Sequence, residues 1–428
     1  MKQNSPQQTA EVMVVDSPTM SPAVCQQLVS KISRETEDAF YLFDVDDVIL
    51  KYNTWLEKLP RVMPFYAVKC NNHPILLQVL KALGAGFDCA SKAEIQTMTE
   101  MGVPPEQIIF ANPCKPASHL RYAVARDVQL MTFDNETELS KVQTLAPNAR
   151  LVLRIRVDAE DAQCPLGIKF GAVPSAAPRL LKLAAAQGLN VVGVSFHVGS
   201  GCREFAVYER AIRAARLVFD QAAEVGYTLS LLDLGGGFAG ERGASLDEAA
   251  GYINSALDEC FPESQGVTVI AEPGRYMAAS AFTLATQVTS VRRAADSVDY
   301  YVNDGVYGAF NCILYDHLVC VPRPLEEAPA EGIPATVWGP TCDSMDRICE
   351  GCLLPPLEPQ SWLVWENMGA YTLSAAGTFN GFPRATVYPV ITAKLSEAVR
   401  NAVWPLTPMP EPAIQITPLP VEQCVAEN

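Results

Sequence analysis

The sequence has no long uninterrupted apolar run and no excess of basic residues. No apolar run approaches the roughly 18 residues that a membrane-spanning helix needs, so we expect no membrane association. The 428 residues include 48 Asp and Glu but only 32 Lys and Arg, and the net charge of −16 argues against nucleic acid or an anionic membrane as a partner. The polar N-terminus also lacks the apolar core of a signal peptide, so we expect a cytoplasmic protein.

The cysteines form no cluster. Thirteen are scattered along the chain, without the spacing of a disulfide scaffold. Cys349-Glu-Gly-Cys352 is a lone CxxC, because no second pair and no nearby histidine completes a zinc site. We expect ordinary thiols there and no metal site in the protein.

Eight short apolar runs in the first two thirds of the chain each end at a polar residue. Such runs are typical of buried parallel strands whose C-terminal ends line a site. Eight of them, separated by helix-length segments, predict a (β/α)8 TIM barrel with its chemistry at the strand ends. The runs and the polar residues after them are Pro64–Val68 with Lys69, Gly86–Phe87 with Asp88, Ile108–Ala111 with Asn112, Leu130–Phe133 with Asp134, Leu151–Leu153 with Arg154, Val191–Phe196 with His197, Leu229–Leu232 with Asp233, and Val267–Ala271 with Glu272.

The predicted barrel occupies residues 46–280, and a mainly-β domain over residues 281–403 follows it. Beyond residue 280, strand-like runs are separated by proline, glycine and acidic turns, with little helix between them. The segment 21–45 contains the strand-like run Ala39–Val45, which we expect to complete the β domain. Two further segments are predicted to lack regular structure, a disordered N-terminus at 1–20 and a proline-rich irregular tail at 404–428.

Three turns that contain glycine follow predicted strand ends. The run Asp233-Leu-Gly-Gly-Gly-Phe238 alone is equally compatible with a flexible turn and with a loop whose backbone N–H groups bind an anion. His197-Val-Gly-Ser-Gly201 is a second such turn, and Glu272-Pro-Gly-Arg275 adds a cation. Because TIM barrels commonly bind phosphate after strands seven and eight, the three turns together predict a phosphate site.

Lys69 lies at the end of the first predicted strand, next to apolar residues. Taken alone, it is either a structural ion-pair partner or a nucleophile whose pKa is lowered by desolvation. With a phosphate site at the same barrel mouth, pyridoxal 5'-phosphate (PLP) accounts for both features, because PLP needs a lysine, a phosphate site and an acid beside its ring nitrogen. Glu272 is the candidate acid, and His197 either stacks on the ring or is a core residue.

Eight motifs resemble the eukaryotic ornithine decarboxylase family of fold-type III PLP-dependent decarboxylases. The resemblance spans roughly residues 38–390. The motifs are Pro64-Phe-Tyr-Ala-Val-Lys-Cys-Asn71, Gly86-Phe-Asp-Cys-Ala-Ser91, Ser195-Phe-His-Val-Gly-Ser-Gly-Cys202, Asp233-Leu-Gly-Gly-Gly237, Ala271-Glu-Pro-Gly-Arg275, Tyr301-Val-Asn-Asp-Gly-Val-Tyr-Gly308, Trp338-Gly-Pro-Thr-Cys-Asp343 and Glu366-Asn-Met-Gly-Ala-Tyr371.

The resemblance implies PLP-dependent decarboxylation of a basic amino acid, with L-ornithine converted to putrescine and CO2. It implies that Lys69 binds the cofactor's aldehyde, that Glu272 pairs with the ring nitrogen and that His197 stacks on the ring. Asp88 and Arg154 would lie beside the cofactor. The residues implied to hold its phosphate are Ser200, Gly235, Gly236, Gly237, Arg275 and Tyr371.

The resemblance further implies a homodimer whose subunits share their active sites head to tail. The partner subunit's Cys342 would protonate the substrate carbon after loss of CO2. Asp316, Tyr307 and the partner subunit's Asp343 would bind the distal ammonium of the substrate, because a buried ammonium requires paired charge. Antizyme is a further partner in this family, and residues 115–141 resemble its binding region.

Two alternatives stay open. Ser344-Met345 stands where the family usually has Gly-Leu, and Leu318–Pro324 is also unusual. The substrate could therefore be lysine, arginine or a neutral amino acid such as leucine. The family also contains non-catalytic members that bind antizyme in place of the enzyme. This chain keeps the residues that those members typically lose, which favours an enzyme.

Overall fold

The computed structural model describes residues 12–17, 20–157, 167–326, 332–392 and 403. These residues form an eight-stranded parallel barrel and a nine-stranded mixed sheet. The predicted fold class, a TIM barrel with a mainly-β domain, is therefore confirmed. The predicted tail at 404–428 lies outside the described residues. None of the helices within these ranges is long and apolar enough to span a membrane.

The first described residues belong to the β domain. Strand β1 (Met13–Val15) is followed by helix α1 (Pro22–Ile32), strand β2 (Phe40–Asp44) and helix α2 (Val45–Lys58). The prediction of disorder up to residue 20 is wrong for β1, because this short apolar run pairs in parallel with residues 390–392 near the other end of the chain. A strand of only three residues is stabilised by its distant partner strand, and its own short sequence does not predict it.

Eight parallel strands close the barrel in chain order, and one helix follows each strand. The strands are β3 (Val62–Ala67), β4 (Gly86–Cys89), β5 (Ile108–Phe110), β6 (Leu130–Phe133), β7 (Arg150–Arg154), β8 (Asn190–Ser195), β9 (Leu231–Asp233) and β10 (Thr268–Ala271). The helices are α3 (Pro74–Leu83), α4 (Lys92–Glu100), α5 (Ala117–Ala125), α6 (Glu136–Leu145), α7 (Ala177–Ala186), α8 (Ala206–Glu224), α9 (Asp247–Cys260) and α10 (Arg275–Ala278).

The barrel interior is a packed core below the strand ends. Strand β4 contributes Gly86 to it, and a Cβ atom there would lie 2.6 Å from the ring of Phe65. The missing side chain therefore makes room for an aromatic ring on the neighbouring strand. The other seven strands each contribute one apolar side chain to a single cluster, and these are Phe65, Ile109, Leu130, Val152, Val192, Leu231 and Ile270.

The second unit is the mixed sheet. Beyond β1 and β2, its elements are β11 (Phe282–Arg293), β12 (Val298–Val302), the short helix α11 (Asn311–Tyr315), β13 (Arg323–Pro324), β14 (Ile333–Trp338), β15 (Arg347–Leu354), β16 (Trp362–Trp365) and β17 (Thr386–Thr392). The strand order is β1-β17-β2-β11-β12-β14-β15, with β16 on β11 and β13 on β16. Strand β2 pairs with both β11 and β17, which confirms that the N-terminal segment completes the β domain.

Hydrogen bonds tie the β domain to the barrel mouth just after Lys69. The Asn71 side chain donates to the Gly369 carbonyl oxygen over 2.8 Å. The Tyr371 N–H donates to the Cys70 carbonyl oxygen over 2.9 Å. The loop after β16 is thereby held against the end of β3.

Replacing Gly86 by alanine tests the packing of the barrel interior. The added methyl group would meet the Phe65 ring, and overpacking of this kind costs about 1–3 kcal/mol. We expect G86A to lower the free energy of unfolding measured by urea denaturation. We also expect the F65L/G86A double variant to lose less than the sum of the two single variants.

The matched control is Gly251→Ala, on α9. Nothing lies within 4 Å of a Cβ atom added at Gly251, so this variant should keep or raise the stability. Equal destabilisation by G86A and G251A would contradict the proposed packing.

Candidate active site

Lys69 lies among buried carboxylates at the end of β3. Its Nζ forms an ion pair with Asp88 of β4; the Asp88 side chain is fully buried, and 38% of the Lys69 side chain is exposed. Burial by itself lowers the pKa of Lys69, but the charges of Asp88 and Glu272 outweigh burial and raise this pKa above its ordinary value. The ion-pair role that the sequence left open for Lys69 is therefore present.

Asp233, the last residue of β9, and Glu272, directly after β10, are neighbouring buried acids. Burial raises the pKa of Asp233 to about 7. Burial, together with the charge of Asp233, raises the pKa of Glu272 well above its ordinary value. One oxygen on each of three acids receives no hydrogen bond from a neighbouring donor group, namely Asp233 Oδ2, Glu272 Oε1 and Asp88 Oδ1, and the carboxyl groups of Asp233 and Glu272 interact with each other. Since buried polar atoms without a donor are costly, this group of acids favours the approach of a donor or a cation.

His197 follows β8 and lies at the same barrel mouth. The Gly199 N–H donates to His197 Nδ1 over 3.0 Å. Burial, together with the positive charges of Arg154 and Lys69, lowers the pKa of His197 well below its ordinary value. The ring is therefore a neutral imidazole at physiological pH, with its orientation set by a backbone hydrogen bond.

The three glycines after β9 bring the backbone against this ring. A Cβ atom at Gly236 would lie 2.7 Å from His197 Nε2 and 3.0 Å from the Glu272 carbonyl oxygen. Gly235 and Gly237 have φ values of +62° and +115°, which side chains disfavour. The loop therefore approaches the His197 ring more closely than any residue with a side chain would allow.

Arg275, Ser200 and Tyr371 form a second polar cluster. The nearly buried Arg275 side chain donates from Nη2 to Ser200 Oγ over 3.0 Å. Its guanidinium carbon lies 5.3 Å from the centre of the Tyr371 ring. A buried guanidinium beside a hydroxyl group suits an anion with several acceptor oxygens, such as a phosphate.

The same guanidinium group also binds Asp316. Arg275 Nη2 lies 2.5 and 2.7 Å from the two Asp316 carboxylate oxygens, and both side chains are buried. This contact joins Arg275, which is predicted to bind the phosphate, to Asp316, which is predicted to bind the substrate. No sequence signal predicts it, because the two residues are 41 positions apart and belong to unrelated motifs.

Cys342 and Asp343 lie on the loop between β14 and β15. The Met345 N–H and the Tyr307 hydroxyl both donate to the Asp343 carboxylate, and they lower its pKa. Cys342 is exposed, and its N–H donates to Asn380 Oδ1 over 3.0 Å. Cys342 and Asp343 line a groove of about 780 Å³, whose described lining residues include none of the barrel-mouth residues above. Within one chain, the predicted proton donor is therefore apart from Lys69.

The remaining strand-end residues support loops. Asn112 Oδ1 accepts the Cys114 N–H over 3.1 Å, and Asp134 Oδ2 accepts the Gly171 N–H over 2.8 Å. Arg154 lies 5.4 Å from the centre of the Phe170 ring. Sequence reasoning assigned no role to Asn112 or Asp134, and it missed Phe170 because that residue lies in a loop without a periodic pattern.

Comparison with known proteins identifies the family of this fold and site. Residues 45–279 match the sequence model of the pyridoxal-dependent decarboxylases, pyridoxal binding domain. The chain belongs to the family of pyridoxal-dependent decarboxylases. The predicted family and the predicted cofactor, PLP, are thereby confirmed.

Individual relatives agree with this assignment. Rattus norvegicus ornithine decarboxylase is 46% identical over 91% of this chain and 88% of its own. Xenopus laevis antizyme inhibitor 2 is also 46% identical, over 92% of this chain and 90% of its own. The crystal structure of Paramecium bursaria Chlorella virus arginine decarboxylase bound to agmatine has a TM-score of 0.83 at 37% identity, and the match covers 85% of this chain and all of that chain.

The barrel-mouth residues fit PLP. A protonated ring nitrogen would supply a donor to Glu272, whose Oε1 receives no hydrogen bond from a neighbouring donor group. The glycine loop at 235–237 brings the backbone close to His197, and Arg275 adds a cation for the phosphate. Lys69 has the amine that binds an aldehyde. The assignment of each residue to ring, aldehyde or phosphate stays a prediction.

Gly236→Ala tests whether the glycine loop binds the cofactor. The added methyl group would contact both His197 Nε2 and the Glu272 backbone, so the loop must move away from the ring. We expect the affinity for PLP to fall about tenfold or more, with a native circular dichroism spectrum. Fluorescence titration of the cofactor-free protein measures this affinity. G251A again provides the control, and an unchanged PLP affinity in G236A would show that the loop does not bind the cofactor.

Proposed function

We propose that this protein uses PLP to decarboxylate a basic L-amino acid, and that it converts L-ornithine to putrescine and CO2. The observation that carries the proposal is the buried cluster of Lys69, Asp88 and Glu272, which has the amine and the acids that this cofactor requires. The identity with the rat ornithine decarboxylase supports ornithine as the substrate. The similarity to the viral arginine decarboxylase shows that related chains with this fold also take a longer cationic amino acid.

The chain's own residues prepare each part of this chemistry. When bound, PLP supplies the electron sink into which the bond between the substrate Cα and its carboxylate breaks. Asp88 is hydrogen-bonded to Lys69 Nζ and is placed to accept the proton that this nitrogen must lose before it can act as a nucleophile. Glu272 Oε1 would hold a proton at the ring nitrogen. The neutral His197 ring would exclude water from one face of the cofactor.

Asp343 is the acid that favours a cationic side chain in the substrate. Its pKa is lowered by the Met345 N–H and the Tyr307 hydroxyl, so it is ionised at neutral pH. Asp316 is bound to Arg275, and its charge is partly balanced there. We therefore infer that the partner subunit's Asp343 and the partner subunit's Tyr307, which are hydrogen-bonded to each other within one chain, make the main contact with the distal ammonium, while Asp316 contributes from beside the phosphate site.

Asp343→Asn tests this selectivity. Loss of the charged partner should raise the KM for ornithine about tenfold or more and change kcat less, since a hydrogen bond to a charged group is worth about 1.5–3 kcal/mol. Steady-state CO2 release from ornithine, lysine, arginine and leucine gives the KM and kcat for each amino acid, and the amine product is identified in each case. In the unaltered enzyme, faster turnover of leucine than of any basic amino acid would overturn the proposed substrate class.

The matched control is Asp38→Asn. Asp38 lines the same groove as Asp343 and is exposed, so the variant makes the same change in charge at another position. It should leave the KM for ornithine unchanged. An equal rise in KM for D38N and D343N would indicate a general electrostatic effect and would contradict a specific contact.

We propose that two chains form a homodimer with shared active sites. Cys342 and Lys69 belong to separate clusters within one chain, so the partner subunit's Cys342 would protonate the substrate carbon. Several apolar side chains close in sequence to Asp316 and Asp343 are exposed, which suits contact with a second chain. They are Tyr315 (72% exposed), Val319 (82%), Val321 (67%) and Met345 (64%).

Mixing two inactive variants tests the shared site. Lys69→Ala removes a barrel residue and Cys342→Ala a β-domain residue, so a mixed dimer would contain one site with both residues intact. After subunit exchange at equal concentrations, we expect about a quarter of the unaltered activity to return, because about half of the dimers are mixed and each has one intact site.

Mixing Lys69→Ala with Asp88→Ala is the control. Both changes lie in the barrel, and no combination of these chains restores a complete site. No recovery with Cys342→Ala, or equal recovery in both mixtures, would contradict sharing between subunits.

A second candidate function is the binding of antizyme without catalysis. The observation in its favour is the identity with Xenopus laevis antizyme inhibitor 2, which equals that with the rat ornithine decarboxylase. The region predicted to bind antizyme, 115–141, includes α5 and α6. CO2 release with added PLP separates the two functions, since a regulator would release none from any amino acid. Co-purification with antizyme tests the interaction, which an enzyme can also make.

We also propose a cytoplasmic location. All eleven cysteines within the described residues have free thiols, which is typical of a reducing compartment. Localisation of the tagged full-length chain by fluorescence microscopy would test this.

A further inference from the structure

The CxxC sequence on β15 contains a β-bulge. On the neighbouring strand β14, Val337 lies opposite Cys349, Thr336 opposite Glu350 and Ala335 opposite Cys352. Gly351 therefore has no partner of its own, and its φ of +70° is of the kind that glycine adopts without strain.

The bulge brings both cysteine side chains to one face of the sheet. On a regular strand, residues three positions apart point to opposite faces. Here Gly351 is an extra residue without a partner, so Cys349 and Cys352 pair with Val337 and Ala335, which are only two positions apart on β14. Both thiols therefore lie on the same face as the buried side chains of Ala335 and Val337. The two Sγ atoms are 3.0 Å apart, and both residues are half-buried, which leaves them open to a small oxidant.

We propose that Cys349 and Cys352 are a site of reversible oxidation, at which a peroxide converts the two thiols to a disulfide. The sequence predicts ordinary thiols at this CxxC, because the bulge that brings the two sulfur atoms together cannot be seen in the sequence. A bond between sulfur atoms already in contact requires little movement of the backbone. Because β15 begins directly after the loop that contains Cys342 and Asp343, the disulfide would form next to groups that the proposed reaction uses.

The chemistry balances with one peroxide molecule. The thiolate of one cysteine attacks one peroxide oxygen, the O–O bond breaks, and the leaving oxygen takes a proton to become water or an alcohol. That cysteine is then a sulfenic acid. The sulfur of the second cysteine attacks the sulfur of the first, the S–O bond breaks, and the departing hydroxide takes the proton of the second thiol to form water. The two thiols lose two electrons, and the peroxide gains them.

The contacts of the pair do not distinguish the two thiols. Either sulfur can donate a hydrogen bond to the other, and the Cys352 thiol also lies 3.3 Å from the Ala335 carbonyl oxygen, to which it donates. The thiol that ionises first is the one that reacts with the peroxide, since the thiolate is the nucleophile. The second close pair, Cys312 and Cys320, has Sγ atoms 3.9 Å apart and is buried, so a peroxide reaches it less readily.

Two other roles of a CxxC fit less well. Within the described residues, no group of three His, Cys, Asp or Glu side chains could hold a metal ion, so a zinc site would lack ligands. A disulfide across so short a loop would also constrain the unfolded chain little, because stabilisation grows with loop length. The pair is therefore suited to reversible oxidation more than to structural support.

Mass spectrometry of the full-length protein tests the proposal. Trypsin releases residues 348–384 as one peptide, and Cys349 and Cys352 are its only cysteines. After treatment of the PLP-loaded protein with hydrogen peroxide, we expect this peptide to lose two hydrogen atoms in mass and to resist alkylation at both cysteines. Dithiothreitol should restore alkylation. Cys312 and Cys320 should still be alkylated under the same conditions.

Single variants trap the sulfenic acid. In C349S and in C352S no disulfide can form within this peptide, and dimedone should label the remaining cysteine of at least one of the two variants as a trapped sulfenic acid. The half-buried thiol Cys260 provides the control, and C260S should still form the disulfide. The proposal is overturned if both cysteines of the unaltered protein stay open to alkylation, if either pairs with a cysteine of another peptide, or if dithiothreitol does not reverse the change.

Discussion

The burial of three carboxylates at the barrel mouth is the constraint on which the site depends. Asp88, Asp233 and Glu272 are withdrawn from water, although the burial of an ionised carboxylate costs several kcal/mol. Lys69 balances part of this charge, and the raised pKa values of Asp233 and Glu272 reduce the rest by favouring their protonated forms. Such a cluster is unfavourable for stability alone. A cationic ring nitrogen bound beside Glu272 would explain the cluster, because it would supply a donor and balance the buried acids.

The two units of the fold contribute differently to this site. Parallel strands that end at one edge bring the three acids together, and Gly236 allows the backbone to lie against His197. The β domain adds Asp316, which reaches the barrel through Arg275. The Arg275 guanidinium group therefore belongs to the predicted phosphate site and also binds Asp316, which is predicted to contact the substrate. A phosphate bound to Arg275 would act directly on the position of Asp316.

Most of the barrel and its inventory of polar residues follow from local sequence patterns, because each strand is a short apolar run with a polar residue at its end. The pairs that define the site are different. The contact between Arg275 and Asp316 joins distant segments without a shared pattern. Strand β1 exists only through its distant partner. The two thiols of the CxxC share a face only because Gly351 forms a bulge. Such features depend on tertiary packing, which spacing along one chain does not reveal.

The replacement Glu272→Gln tests this explanation of the buried acids most directly, because it keeps the shape of the side chain and removes the ionisable acid. Thermal unfolding of the cofactor-free protein and CO2 release with saturating PLP should be measured on the same preparation. We expect an unchanged or higher unfolding temperature, since a costly buried acid is removed, together with a loss of activity of about 100-fold or more. A variant that is clearly destabilised without cofactor and yet retains its activity with PLP would show that Glu272 is a structural residue and not a cofactor ligand.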